Sequence, residues 1–208
     1  MESSIRIRMM RKVRSKFPRI FGGRSAKKGE KFQMAKVYAF VADGMEEVEC
    51  LAVCDCLKRA KVDVKLVSIM GRNMVTGSHG FKIEADCLFE EITDDADVLF
   101  LPGGLVGTNN LKAHKGLAEM LKSHAAAGKR LAAICAAPSI LGELGLAEGH
   151  RATCYPGFEK YLPDFEVVTD GVVVDGKMIT GKGPGFAIPF GLAVLEQLRS
   201  AQVAGDVA

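Results

Sequence analysis

The sequence predicts a three-layer α/β sandwich on a mostly parallel sheet, and three observations predict it. Short β-rich runs alternate with helical stretches from Lys36 to about residue 200, the pattern of successive βαβ units. An apolar run over 130–134 stops at Cys135, and Pro138 opens a helical stretch just behind it. A second apolar run, 97–101, ends in Pro102-Gly103-Gly104. Open parallel sheets bind ligands beyond the carboxyl ends of their strands, so both turns fall on the edge where chemistry is expected.

Residues 37–41 form the first predicted strand, 45–59 a helix and 62–68 the second strand. Turn residues around 71–73 and 77–80 flank short runs such as Phe81-Lys-Ile, which predicts a small hairpin or side ribbon over 71–86. Residues 97–101 are a buried strand, 109–127 one helix closed by Gly128, 130–134 the next strand and 138–146 the helix after it. The last third carries strand-like stretches at 151–154 and 165–169, a hairpin over 172–180 and a final helix over 186–199. Asp43-Gly-Met-Glu46 matches a capping box, with Asp43 as cap and Glu46 reaching back. Residues 201–208 read as a tail.

The chain has 208 residues and is 48% hydrophobic, enough for one domain with a substantial core. Every apolar stretch is interrupted within roughly ten residues, so no membrane span is expected. Six cysteines without a secretory signal or compact-scaffold spacing predict reduced thiols in the cytoplasm. Four scattered histidines and the absence of C-x-x-C argue against a metal site.

Charge divides the chain. Residues 1–34 hold eleven Lys or Arg against Glu2 and Glu30, a net +9 within a whole-chain +3, which leaves the remainder at −6. The acidic remainder argues against nucleic acid as the partner of the domain. The basic arm fits a nucleic-acid arm, a membrane-surface segment, a transit peptide, or sequence upstream of a true start at Met34, where hydrophobic periodicity begins. Residues 1–33 are therefore read as a basic extension and 34–200 as the domain.

Cys135 is the first candidate for chemistry. A cysteine at a sharp strand-to-helix turn presents its sulfur out of the sheet, and the small residues Ala133, Ala136 and Ala137 suit a crowded nucleophile elbow. The nearby helix start is expected to favour thiolate and so to lower the thiol pKa. Glu49 falls at helical spacing from Met45, Ala52, Val53 and Cys56, on the apolar stripe, whereas Glu47, Asp55 and Lys58 mark the solvated side. A carboxyl group in apolar surroundings has a raised pKa and can shuttle a proton. Gly103 and Gly104 let backbone N–H groups approach a ligand closely, and with the Ala136 amide they are able to form an oxyanion hole. Gly181-Lys-Gly-Pro-Gly185 lacks the spacing and hydroxyl of a phosphate loop.

Asp43-Gly-Met-Glu-Glu-Val-Glu49, Leu101-Pro-Gly-Gly104, Ala133-Ile-Cys-Ala-Ala-Pro138 and Gly181-Lys-Gly-Pro-Gly185, in this order, resemble the DJ-one/ThiJ/PfpI superfamily, in particular its Parkinsonism-associated and YajL-type branch. The resemblance covers about residues 35–200. It implies a flavodoxin-like fold related to class I glutamine amidotransferases, a reactive cysteine at Cys135, a glutamate partner at Glu49 and oxyanion amides at Gly104 and Ala136. It also implies a homodimer and no cofactor. Gly103, Cys154 and Tyr155 are expected substrate contacts, and Arg59 a residue at the dimer interface.

The activities implied are glyoxalase or deglycase chemistry on small 2-oxoaldehydes or early glycation adducts, such as methylglyoxal to lactate, or a redox-sensing chaperone role without turnover. PfpI-type proteolysis is disfavoured because Ala136 stands where that branch carries histidine. Amidotransfer is disfavoured because no histidine follows His150. Tyr155 replaces the histidine of the family's Thr-His-Pro turn, which alters the proton relay.

Overall fold

The computed structural model describes residues 34–146 and 149–208; the basic extension lies outside the described residues. From Met34 onward the chain forms one compact unit. The elements run β1 (Lys36–Val41), α1 (Glu47–Arg59), β2 (Asp63–Ser68), β3 (Met74–Thr76), β4 (Lys82–Glu84), β5 (Cys87–Leu88), β6 (Val98–Leu101), α2 (Leu105–Ala113) and α3 (Lys115–Ala126). They continue as β7 (Arg130–Ile134), α4 (Pro138–Glu143), β8 (Arg151–Ala152), β9 (Glu166–Val167), β10 (Val172–Asp175), β11 (Met178–Gly181), α5 (Ala187–Leu198) and α6 (Ala201–Val207).

Seven strands make the central sheet in the order β10-β11-β7-β6-β1-β2-β5. Every pairing is parallel except β10 with β11 at the edge. Strand alternation divides the core in two, because successive side chains point to opposite faces. Val37, Ala39 and Val41 of β1 join Phe100 and Ile134 on the face covered by α1 and α5. Tyr38 and Phe40 join Leu99, Leu101 and Leu131 on the face covered by α3 and α4. The sandwich read from the sequence is thus the architecture present.

Phe100 is fully buried, its ring centroid 5.7 Å from that of Phe190 on α5. Phe100→Ala is expected to cost about 3–5 kcal/mol through the cavity it leaves. Chemical denaturation checks this as a lower midpoint at unchanged m-value.

Four local features differ from the sequence reading. The expected helix over 109–127 is two helices, α2 and α3, broken at His114. There the backbone turns extended and the ring Nδ1 accepts from Leu117 N at 2.9 Å, making a histidine cap two residues before Gly116. Helix α1 starts at Glu47 with Glu46 as its cap, so the Asp43 capping box does not form. Asp43 instead accepts from Thr76 N at 2.9 Å and pairs with Arg72, tying its loop to the β3–β4 hairpin. Glu47 is buried rather than solvated, because Ser78 and His79 from the hairpin loop close over it. Residues 201–207 form α6, with Ser200 Oγ accepting from Val203 N at 3.3 Å and Ala204 turned into the core. Among the described residues, no helix is long and apolar enough to cross a membrane.

Candidate functional site

Three neighbouring strands, β7, β6 and β1, end at the same edge of the sheet. Cys135 follows β7 directly. Its φ of +66° is one of two positive values at non-glycine residues among the described chain, a conformation that costs of order 1–3 kcal/mol and must be held by its surroundings. The holding bonds are visible: Cys135 N donates to Gly181 O at 2.8 Å, and Cys135 O accepts from Tyr155 N at 2.8 Å. Immediately behind, Ser139 Oγ donates to Ala136 O at 2.6 Å before α4 continues. The elbow predicted from small residues and a following proline is therefore present as a strained backbone turn.

Glu49 comes from the first turn of α1 and is completely buried. Its Oε2 accepts from Gly103 N at 3.0 Å, while Oε1, also buried, meets no hydrogen-bonding nitrogen or oxygen. The Cys135 thiol is the group that acts on this carboxyl. Desolvation pushes Glu49 up to about 7, the thiol's hydrogen bond and the Gly103 amide pull it partly back, and the Glu46 charge adds to the rise. Burial pushes Cys135 up as well, to about 12, with the Glu49 charge and hydrogen bond acting in the same direction. The backbone N–H groups of Gly104 and Ala136 oppose that rise at the sulfur. The expectation of a low thiol pKa thus differs from the resting site, where burial and a neighbouring carboxylate outweigh the two amides. Strongly interacting groups titrate as a pair, and here the pair holds its last proton tightly.

Gly103 and Gly104 have separate tasks. The Gly103 N–H is committed to Glu49, and its O accepts from Glu46 N at 3.0 Å. A Cβ on Gly103 would overlap Glu49 Oε2 and lie 2.6 Å from Cys135 Cβ. Gly104 has φ +88° and presents its N–H to the sulfur. A Cβ there would lie 2.6 Å from Glu46 N. Tyr155 is 46% exposed, and its ring lies against Gly183.

Cys154 is buried, and desolvation raises its thiol to about 11. It lines a cavity of about 480 Å³ with Pro156, Glu159, Thr169 and Lys182, and Cys135 is not among the residues lining it. All six cysteines are free thiols. Arg59 pairs with Asp55 on its own helix at 2.6 Å.

Sequence reasoning missed the supporting acids. Glu46 Oε2 caps Glu49 N at 2.7 Å. Glu47 accepts from His79 N at 2.8 Å and from Ser78 Oγ at 3.0 Å. Burial alone would raise Glu47, but the hydrogen bonds from His79 and Ser78 outweigh it and bring the carboxyl down to about 2. Glu46, Glu47 and His79 place three ligand-type atoms within 4.8 Å of one another, so histidine count and spacing did not exhaust the possible metal-ligating groups. The partners of Glu47 lie 31 and 32 residues away, so no local pattern marks them.

A strained cysteine at the carboxyl edge of a parallel sheet, facing a buried carboxyl and two converging amides, defines a flavodoxin-like protein built around a thiol. The chain belongs to the DJ-1/PfpI family, whose model matches residues 35–197. It is 41% identical over 175 residues to Protein DJ-1 homolog B of Arabidopsis thaliana, covering 83% of this chain and 40% of that protein. It is 35% identical over 153 residues to a protein of Pyrococcus abyssi named a deglycase, covering 72% of this chain and 91% of that one. The structure of oxidized Toxoplasma gondii DJ-1 superposes with a TM-score of 0.81 at 35% identity, covering 84% of this chain and 96% of the other. The chain spans less than half the length of the two Arabidopsis relatives it matches.

Proposed function

We propose that this domain is a cytoplasmic stress-response protein that converts small 2-oxoaldehydes to 2-hydroxy acids, methylglyoxal to lactate being the simplest case, or reverses the early adducts such aldehydes form. The burial of Glu49 against Cys135 carries this reading. A carboxyl raised to about 7 exchanges protons readily near neutral pH, as a general acid–base group must.

In the proposed reaction the Cys135 sulfur attacks the aldehyde carbon while its proton passes to the Glu49 carboxylate. A thiol raised to about 12 is a strong nucleophile once that proton leaves. The Gly104 and Ala136 N–H groups stabilise the alkoxide. Glu49 returns the thiol proton to the alkoxide, which becomes the hemithioacetal hydroxyl, and the carboxylate so restored takes the C1 proton and delivers it to C2 while the hydroxyl proton passes to the ketone oxygen, giving a thioester of the 2-hydroxy acid. Water hydrolyses it, releasing the acid and restoring the thiol. The residues supply nucleophile, base and oxyanion donors, so the reaction is written without a cofactor. Tyr155, at the exposed end of the elbow, is the proposed partner for the substrate's ketone oxygen. Gly103 contributes by holding Glu49.

The test is lactate formation from methylglyoxal by protein starting at Met34, with thiol-free controls. Cys135→Ala is expected to reduce turnover at least ~10³-fold, as loss of a covalent nucleophile does, and Glu49→Gln to reduce it comparably. Turnover equal to that of Cys135→Ala in the parent protein would reject the enzyme reading. The second reading is a redox-sensing chaperone. It is favoured by the same carboxyl and amides, which suit a Cys135 sulfinate accepting from the amides and from protonated Glu49. The redox reading predicts sulfinate under mild peroxide without turnover.

A homodimer is the proposed assembly. The outer face of α1 leaves Val48 and Leu51 exposed, and the β3–β4 loop leaves Phe81 exposed. Analytical ultracentrifugation reads the assembly directly.

A further inference from the structure

Strand β11 reads Met178-Ile179-Thr180-Gly181, and Thr180, the one residue of the four with a polar side chain, is 1% exposed. Its backbone lies in the ladder between β7 and β10, opposite Ala133 on one side and Val173 on the other. The hydroxyl is left for a different bond: Thr180 Oγ1 accepts from Thr153 N at 2.9 Å. Thr153 follows β8 directly. Its own hydroxyl oxygen is buried and meets no partner among the described residues, so the tie to β11 runs through the Thr153 amide.

Two residues further on, Tyr155 N donates to Cys135 O at 2.8 Å, and Cys135 N donates to O of Gly181, the residue after Thr180, at 2.8 Å. The circuit thus leaves β11 and returns to it. Its other bonds are made by backbone atoms, and the Thr180 acceptor is the part contributed by a side chain. What the circuit holds is the peptide between Cys135 and Ala136. A peptide unit is planar and trans, so its carbonyl and its N–H point in opposite directions. Pinning Cys135 O to Tyr155 N therefore turns the Ala136 N–H the other way, toward the Cys135 sulfur on which it acts. The following peptide is held separately, by Ser139 Oγ on Ala136 O at 2.6 Å.

We propose that Thr180 is a positioning residue for the oxyanion donor: by holding Thr153 N it sets residues 153–155, and through the Tyr155 N–H it keeps the peptide between Cys135 and Ala136 turned so that the Ala136 N–H faces the reacting sulfur. The inference rests on the reading of that N–H as an oxyanion donor. Residues 153–155 have a second anchor in the small sheet, where Ala152 O accepts from Val168 N at 2.8 Å. That bond joins β8 to the segment after β9, whereas the Thr180 hydroxyl joins it to the central sheet that carries Cys135. The positive φ of Cys135 makes the link matter, because a strained residue keeps its conformation only while its surroundings enforce it.

Thr180→Val keeps the branched shape and removes the acceptor. Thr180→Ser keeps the acceptor and removes the methyl group. Thr180→Ala is a second acceptor-free variant and adds no bulk. The first readout is native-state hydrogen exchange of the Tyr155 amide by NMR, referred to the Phe100 amide of β6, which reports opening of the sheet as a whole. It needs no aldehyde turnover. The second is the separate measurement of kcat and KM for methylglyoxal.

In Thr180→Val and Thr180→Ala the Tyr155 amide is expected to exchange at least about tenfold faster relative to Phe100, as loss of one buried hydrogen bond allows. Thr180→Ser is expected to restore the parent ratio. In a parent that turns over methylglyoxal, the acceptor-free variants are expected to lose about tenfold in kcat at unchanged KM, less than the about 10²–10³-fold that removal of an oxyanion donor costs. A merely structural Thr180 would speed both amides equally and leave kcat of the folded protein unmoved. An unchanged ratio of Tyr155 to Phe100 exchange in a folded acceptor-free variant overturns the proposal, and so does an unchanged kcat where the parent turns over. A parent without turnover rejects the aldehyde reading instead, and the exchange ratio still decides whether Thr180 holds the elbow.

Discussion

Gly103→Ala is expected to lower kcat/KM for methylglyoxal by about 10²-fold, because displacement of a catalytic group by about 1 Å has that effect. The new methyl would overlap Glu49 Oε2, sit 2.6 Å from Cys135 Cβ and approach Ile134 O to 3.0 Å. The carboxyl end is able to swing away, but Cys135 Cβ belongs to a backbone held on both sides and is not. Relief therefore comes from Glu49, and the hydrogen bond from Gly103 N is lost with it. Overpacking at such a point costs about 1–3 kcal/mol, which thermal denaturation reads. The signature is a folded protein with an alkylatable Cys135 and impaired turnover. Full turnover in the folded variant would show that Glu49 need not lie where Gly103 holds it.

The buried carboxyl should also be visible in the pH dependence of stability. Glu49 titrates at about 7 in the folded protein against an ordinary value of 4.5. Between those values the folded state keeps a proton that the unfolded chain has released. The slope of unfolding free energy with pH is then negative: this group disfavours folding progressively from about pH 4.5 to 7, and the full penalty persists above. A shift of this size corresponds to about 3 kcal/mol. Glu49→Gln carries no charge at any of these pH values, so the difference between variant and parent should move in favour of the variant by that order as pH rises through the window. Urea denaturation at pH 4.5 and pH 8 measures it, and equal pH slopes for the two proteins would contradict the raised carboxyl. The residue would then stand as one whose removal stabilises the fold while ending its proposed chemistry, the trade expected of a functional group placed where packing alone would not put it.

Period-2 and 3.6-residue patterning made the sheet and most helices legible, because those periods report which side of an element is buried. The same logic placed Glu49 in the core. Cys135 was legible as the end of a strand, and its positive φ follows from the turn it makes. Other features depended on contacts distant in sequence. Nothing near Glu47 announces Ser78 and His79, and His114 does not read as a cap even with Gly116 two residues on, since its ring nitrogen stands in for a more usual Ser or Asp oxygen. The resting thiol was read from its helix start alone, which left out the burial and carboxylate charge that dominate once α1 is docked beside it. The last segment carries no strong periodic signal over its seven residues, and α6 follows from packing against the core by Val203, Ala204 and Val207.

The two backbone bonds at Cys135 have a further bearing on how the site fluctuates. Its N–H is taken by Gly181 on β11, and its carbonyl by the Tyr155 N–H, so the elbow is stitched to the sheet and to the segment after α4 at once. Opening it means separating pieces that also carry the core. In native-state hydrogen exchange the Cys135 and Tyr155 amides should therefore belong with the slowest set, exchanging through large-scale rather than local opening. An elbow held at both its N–H and its carbonyl is expected to keep its place as a small molecule enters or leaves. Differences in its reactivity between conditions would then report proton occupancy at the thiol and carboxyl, rather than the opening of a gate.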